Sequence, residues 1–232
     1  MKIILAALFL IGINAYADIK TTKQAMIEYQ KGNIDRAVKM LTKSCKDGEL
    51  NACVNLGYIY MRGLSVKKNL SKGYALLKKA CDAKNNKGCI VLGNSIIEEE
   101  GNLWYNFQRN KVPTLKDKQE HRKRRDIGVG FLKKACENGS SAGCNNLGGA
   151  YWNYVQQNGG LKAFPKLADK AFDALNKACD MKSLRSCMQL GYIYENMDKK
   201  HFLLASKFYK KSCDLGYQKA CDDYKRLHGS GY

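Results

Sequence analysis

Ten cysteines divide into five pairs that share one spacing, with seven residues between the two members of each pair. The pairs are Cys45 and Cys53, Cys81 and Cys89, Cys136 and Cys144, Cys179 and Cys187, and Cys213 and Cys221. A spacing that returns five times predicts one structural unit repeated along the chain, because repeat proteins consist of such self-similar segments. This feature restricts the possible folds more tightly than the composition does.

The residues around the cysteines predict the structure of the unit. Before each first cysteine, Leu or Tyr stands four positions earlier and Ala or Gly eight positions earlier, a spacing that lies on one face of a helix. After four of the second cysteines, Leu and Gly follow at the third and fourth positions: Leu56-Gly57, Leu92-Gly93, Leu147-Gly148 and Leu190-Gly191. A glycine inside a helix costs about 1 kcal/mol relative to alanine, so its recurrence predicts close contact with a neighbouring helix. We therefore expect each unit to be a helix, a tight turn and an antiparallel helix.

The distances between successive first cysteines indicate the architecture. They are 36, 55, 43 and 34 residues, so a period near 36 carries insertions near 97–127 and 152–165. A period in the mid-thirties with two helices per unit is typical of α-solenoids. The chain contains only two prolines and no long alternation of β-branched residues, which argues against a sandwich or barrel. With 45% hydrophobic residues, it is also unlike a disordered chain.

The N-terminus predicts the compartment. Residues 1–17 contain Lys2, an apolar run from Ile3 to Ile13 and the sequence Ala15-Tyr16-Ala17, which is the pattern of a cleavable signal peptide. We expect cleavage after Ala17 and a single repeat domain over 18–232, either secreted or periplasmic. An uncleaved membrane anchor is the alternative reading of this segment. No later stretch reaches the roughly 20 apolar residues of a transmembrane helix.

The cysteines fit disulfides better than metal or redox chemistry. An even number of cysteines in an exported chain indicates disulfides, and a seven-residue loop can bring two antiparallel helix ends within bonding distance. Zinc sites and redox sites favour Cys-x-x-Cys, which is absent from the sequence. We therefore predict one disulfide per hairpin and neither a metal nor a cofactor.

A family resemblance follows from the residues of one full unit. The segment 52–81, with its Asn-Leu-Gly, Tyr, Gly and Lys-Lys-Ala positions, resembles Sel1-like repeats, which are relatives of the tetratricopeptide repeat. With Cys-x7-Cys in each hairpin, the chain is similar to the cysteine-rich secreted proteins of helicobacters. The resemblance implies an all-α fold, an αα-hairpin solenoid with one disulfide per hairpin, and a groove for partners. It also implies an alternative activity, because some members of that group are described as penicillin-binding proteins with slow β-lactamase activity.

The sequence provides little machinery for that hydrolysis. Class A β-lactamases combine Ser-x-x-Lys, Ser-Asp-Asn and Lys-Thr-Gly, because the nucleophile, the proton shuttle and carboxylate recognition are separate tasks. Ser65 and Lys68 form the one Ser-x-x-Lys, and neither companion motif occurs. They are the catalytic candidates under the enzyme hypothesis, and a chance match in a lysine-rich chain is the simpler explanation.

A binding surface is the better-supported hypothesis. The second and fifth positions after each second cysteine lie on one side of a helix, and Asn, Gln and Tyr recur there. Such side chains can hydrogen-bond a peptide backbone or a carboxylate without burying a charge. The predicted groove, for a protein, peptide or cell-wall ligand, consists of Asn55, Tyr58, Asn94, Asn146, Gln189 and Tyr192. Alternatively, this face is only solvated or packs on the next turn of the solenoid.

Charge and aromatic residues point to a further class of partner. The net charge is +19, and the first insertion places Trp104, Tyr105 and Phe107 before a basic run over 116–125. Aromatic residues beside cations can bind an anionic surface, although a basic run is more often a solvated helix. Nucleic acid is disfavoured by export and by the absence of a recognition motif.

Overall fold

A computed structural model describes residues 21–229 of the chain, and every helix named below lies in that range. Residues 21–30 form α1. The other helices are α2 (Ile34–Lys46), α3 (Leu50–Arg62), α4 (Leu70–Asp82), α5 (Asn86–Asn110), α6 (Leu115–Glu137), α7 (Ser141–Gln157), α8 (Gly160–Ala163), α9 (Pro165–Asp180), α10 (Leu184–Glu195), α11 (Phe202–Asp214) and α12 (Gln218–Gly229). A single 3₁₀ turn over Lys199–His201 precedes α11. The described part of the chain contains no strand. The predicted signal peptide lies outside the described residues.

The chain divides into two compact units between Asn102 and Leu103. In the first unit, α3 packs against both α2 and α4. In the second unit, α7 packs against α6 and α9, α10 against α9 and α11, and α11 against α12. Five hairpins are present, with first helices α2, α4, α6, α9 and α11 and second helices α3, α5, α7, α10 and α12. The predicted all-α repeat architecture is thereby confirmed.

A disulfide joins the two helices of every hairpin. The five Sγ–Sγ distances run from 1.97 to 2.02 Å, and the Cα atoms of each pair lie 4.3–4.9 Å apart. Each bond pairs the first and second cysteine of one motif, as the spacing predicts. The described residues include all ten cysteines and no free thiol.

The five hairpin turns share one backbone conformation. The residue three positions after each first cysteine has a positive φ: Gly48, Lys84, Gly139, Lys182 and Gly216. Its N–H donates to the carbonyl of that cysteine, and the next N–H donates to the carbonyl of the residue before the cysteine. This pair of bonds closes the helix end in the Schellman manner, in which glycine is favoured because L-residues are strained at positive φ. Two of the five turns have lysine there instead.

The residue after each left-handed position starts the second helix in four of the five hairpins. Its side chain accepts hydrogen bonds from backbone N–H groups two or three residues later, which the first turn of a helix otherwise leaves without partners. These capping residues are Glu49, Asn85, Ser140 and Ser183. The turn is therefore specified both by its backbone hydrogen bonds and by its cap.

The recurring spacing of Leu and Gly reflects contact between neighbouring hairpins. A Cβ placed on Gly57 would lie 2.8 Å from Cγ of Leu77 and 3.1 Å from the carbonyl oxygen of Gly73. A Cβ placed on Gly148 would lie 2.6 Å from Cγ of Leu175. In both hairpins, the glycine after the second cysteine faces the leucine four residues before the next first cysteine. The close approach predicted at these glycines is confirmed.

The two insertions lengthen helices and add a short one. Helices α5 and α6 have 25 and 23 residues, whereas α2, α3 and α4 have 13 each. Within the second unit, Trp104 stacks on His121 with ring centroids 4.4 Å apart. The second insertion contributes α8 and ends at Pro165, which occupies the first turn of α9. No helix within 21–229 has the length and apolar character needed to cross a membrane.

Candidate functional site

The predicted groove residues of the first unit lie on α3 and α5. Asn55 and Asn94 are half-buried, and Tyr58 is 39% exposed. The adjoining residues Leu56 and Gly57 are buried in the packing described above. The helix therefore directs its core side chains one way and leaves these polar and aromatic side chains accessible.

Polar contacts cross this face of the first unit. Lys87 Nζ donates to Asn55 Oδ1 at 3.4 Å, so one acceptor of the predicted groove is already engaged. The Arg62 guanidinium lies over the Tyr58 ring, 5.7 Å from its centroid, and pairs with Glu98. These contacts link successive second helices and hold the Tyr58 ring in place.

The predicted groove residues of the second unit lie on α7 and α10. Asn146 and Gln189 are half-buried, and Tyr192 is 56% exposed. On the same helices, Ser186 Oγ donates to Asn145 Oδ1 at 2.7 Å and ties α10 to α7. Each unit thus presents part of the predicted set, and a single groove that unites the two parts stays a prediction.

The catalytic candidates lie in the loop between α3 and α4. Ser65 is exposed and has a φ of 57°. The Lys68 amine is 3.1 Å from Glu99 Oε2, so it is engaged in an ion pair. The hydrolase hypothesis continues to rest on the resemblance and stays a prediction.

A second site, which the sequence did not predict, lies in the second unit. A pocket of about 570 Å³ is lined by residues of α6, α7 and α9 and of the segment before α9, and we call it the Arg125 pocket. Its lining residues are Arg122, Arg125, Asp126, Val129, Gly130, Lys133, Tyr151, Tyr154 and the segment from Ala163 to Leu167 with Lys170. Five of these side chains are cationic and Asp126 alone is acidic.

Arg125 is the buried group of this pocket. Its side chain is 8% exposed, and its guanidinium carbon lies 3.7 Å from the centroid of the Tyr154 ring. Nη2 donates to Asp126 Oδ1 at 2.9 Å, whereas Nε and Nη1 are buried with no hydrogen-bond partner in the described part of the chain. Burial raises the pKa of Tyr151, and nearby Asp126 adds to this effect, so the phenol keeps its proton as a donor.

One signal in the sequence could have identified Arg125. Gly128, Leu132 and Cys136 form the buried stripe of α6, and Arg125 continues this stripe three residues before Gly128. The other basic residues of the run over 116–125 are exposed. A charged residue in register with a buried stripe is the feature that separates Arg125 from its neighbours.

A third cluster of charged groups joins α10, α11 and α12. The buried Tyr209 hydroxyl donates to Glu195 Oε2 at 2.7 Å, and Arg226 Nη1 lies 2.7 Å from Glu195 Oε1. Burial acts to raise the pKa of Glu195, but the hydrogen bonds from Arg226 and Tyr209 outweigh it and leave that pKa below its ordinary value. Burial and the Glu195 carboxylate together raise the pKa of Tyr209. The cluster is internally satisfied, which fits a role in holding the last helices together.

Comparisons with known proteins agree with this architecture. The model of the Sel1 repeat family matches residues 28–49, 50–85 and 184–217. Cytochrome c oxidase assembly factor 7 of Xenopus tropicalis is 26% identical over 174 residues, which cover 72% of this chain and 65% of that protein. The match thus spans just under two thirds of that relative's length.

A solved structure shows the same fold. The crystal structure of a Sel1 repeat protein from Oxalobacter formigenes aligns with a TM-score of 0.58 at 18% identity, over 92% of this chain and 79% of that chain. The five disulfides of the present chain fit a cysteine-rich subgroup, and such bonds form and persist in oxidising compartments. The family match, the hairpins and the shared fold together show that the chain contains Sel1 repeats within a disulfide-bonded αα-hairpin solenoid.

Proposed function

We propose that the chain is an exported repeat protein that binds a protein, a peptide or a cell-wall ligand on the faces of its second helices. The observation that carries this proposal is the exposure of Tyr192, which is 56% exposed on α10 between the buried residues Gly191 and Ile193. Tyrosine is enriched among the residues that dominate binding energy, since a rigid ring offers large apolar area and one hydroxyl. Tyr58 holds the equivalent position in the first unit.

The neighbouring side chains support a peptide-like ligand. Gln189 and Asn146 are half-buried on the same face of the second unit, and an amide can both donate and accept hydrogen bonds. A peptide backbone needs both functions, and it binds without placing a charge in the interface. Folding does not require an aromatic residue at this position, because the equivalent residue of the third hairpin is Gly149.

The test is selection of linear peptides from a random library on the oxidised protein, followed by dissociation constants for the selected peptide. We expect Tyr192→Ser to weaken binding at least about ten-fold, the effect typical of an interface hot spot. Tyr217→Ser is the matched control, because Tyr217 lies in the same unit with 36% exposure but in the turn before α12, outside the faces of the second helices. Purified cell-wall fragments form a second arm with the same variants. Absence of binding to both probes, or equal effects of the two variants, would refute the proposal.

Export is tested separately from binding. We expect the chain recovered from the periplasm or medium to begin at Asp18, as determined by N-terminal mass spectrometry. Its cysteines should react with an alkylating agent only after a reductant is added, because all ten are paired in disulfides. Recovery of the chain only in the cytoplasm, with reactive thiols, would contradict export without bearing on the binding face.

A further inference from the structure

The Arg125 pocket contains a buried cation whose hydrogen bonds are incomplete. Among residues 21–229, nothing accepts a hydrogen bond from Nε or Nη1 of Arg125, although the side chain is only 8% exposed. Arginine stays charged in proteins, and buried donors are nearly always paired because an unpaired one is costly. The ring of Tyr154 stabilises the charge from one face but supplies no acceptor in the plane of the guanidinium.

The other repeats indicate that packing alone does not require this arginine. Arg125 stands eleven residues before the first cysteine of its hairpin. The residues at that position in the other four hairpins are all apolar: Ile34, Leu70, Ala168 and Phe202. An apolar side chain therefore suffices for this place in a first helix, and the charge at Arg125 calls for another explanation.

The surroundings determine which ligand would complete the site. Arg122, Lys133, Lys166 and Lys170 make the pocket rim cationic, so an anion is favoured there. Between them, Tyr151, Phe164 and Leu167 supply apolar surface. The volume of about 570 Å³ lies within the range of small-molecule sites.

We propose that the Arg125 pocket binds a carboxylate carried on an apolar or aromatic body, with the guanidinium of Arg125 as its anchor. A carboxylate presents two acceptor oxygens to a guanidinium, and its single charge matches the one buried cation. The protonated Tyr151 hydroxyl is a further donor on the wall. Because Nε and Nη1 are covered, the ligand displaces side chains packed over them, and it perturbs Tyr154 as it binds.

The test uses calorimetric titration of the oxidised protein with N-acetylphenylalanine, its neutral amide and phenyl phosphate. We expect the free acid to bind at least about ten-fold more tightly than the amide, because the amide lacks the charge that pairs with arginine. Arg125→Met should remove this preference, whereas Arg124→Met should retain it. Arg124 is a matched control, since it is the adjacent residue, it is exposed, and its loss changes the net charge equally.

Four results would overturn the proposal: equal binding of acid and amide, no binding of the acid, equal effects of the two arginine variants, or binding of phenyl phosphate alone. If Arg125→Met fails to fold, nuclear magnetic resonance of the wild-type protein decides instead. The Arg125 Nε–H signal should shift as the acid is added, and an unchanged signal would refute the assignment. Tyr192→Ser should leave acid binding unchanged, so this site and the proposed peptide-binding face can fail independently.

Discussion

Two adjacent glycines of α7 allow a direct test of how the hairpins pack. Gly148 is buried, and a Cβ there would lie 2.6 Å from Cγ of Leu175 and 3.0 Å from the carbonyl oxygen of Ala171. A Cβ on Gly149 would meet only the Gln189 amide nitrogen at 3.9 Å, which is ordinary contact. Replacing each glycine by alanine therefore makes the same chemical change in the same helix with opposite steric outcomes.

The gain in helix propensity and the cost of overpacking can be separated, because the gain is common to both variants. Alanine is favoured over glycine in a helix by about 1 kcal/mol, so Gly149→Ala should raise the free energy of unfolding by up to about that amount. Gly148→Ala gains the same term but overpacks against Leu175 and a backbone carbonyl, which costs about 1–3 kcal/mol. The difference between the two variants is thus the overpacking cost of about 1–3 kcal/mol, with Gly148→Ala the less stable.

The assay is urea unfolding with the disulfides intact, followed by far-ultraviolet circular dichroism. The two variants should share the helical signal of the wild type and differ in the unfolding midpoint. If Gly148→Ala is as stable as Gly149→Ala, then close contact at this position does not explain the recurrence of glycine. The reasoning for the equivalent glycines of the other hairpins would fail with it.

Three further predictions concern the turn, a charged cluster and a disulfide. Lys84→Gly should stabilise the fold by about 0.5–1 kcal/mol in urea unfolding, because it relieves a positive φ, whereas Lys84→Ala should not. Glu195→Gln should destabilise by about 1.5–3 kcal/mol at neutral pH, because the hydrogen bonds from Arg226 and Tyr209 stabilise the ionised carboxylate and so lower its pKa. The deficit should shrink below pH 4.5 and vanish once the pH has fallen past that lowered pKa. A persistent deficit in acid would contradict this. Replacing Cys136 and Cys144 by serine should cost about 2–3 kcal/mol, from the loop that the bond closes, and unchanged unfolding would refute it.

The hairpins could be predicted from the sequence because their determinants are local. The two cysteines of each disulfide are eight residues apart, and the helix face before each first cysteine is visible within a single segment. One copy of the pattern would have left the fold ambiguous, whereas five copies indicate a repeated hairpin. Even the contact between hairpins was predictable at Gly57. A glycine inside a helix is costly, so its presence indicates a close contact even when the contacting residue is not known.

The Arg125 pocket could not be predicted in this way. Arg125 and Tyr154 are 29 residues apart in the sequence and come from different helices, and Phe164 comes from a third segment. The basic run over 116–125 reads as one continuous charged surface, yet only its last residue is buried. Which member of such a run lies inside depends on helix register relative to the core, and that register follows from Leu132 and Cys136 further along the helix.

In a repeat protein, equivalent positions of the hairpins can be compared with one another to separate residues needed for packing from residues needed for binding. Positions that agree in the hairpins, such as the cysteines, of which eight are buried and two half-buried, are explained by the disulfides and by packing. Functional residues should be sought where one hairpin differs from the others without any gain in packing. Arg125 meets this criterion because it keeps a charge where the other hairpins have apolar residues, and its unpaired donors are unfavourable for folding. Tyr192 and its equivalent Tyr58 are found in two hairpins, and both remain exposed where Gly149 suffices in a third, so packing does not explain these residues either. The two sites differ in chemistry as well, so a ligand could occupy either one without the other.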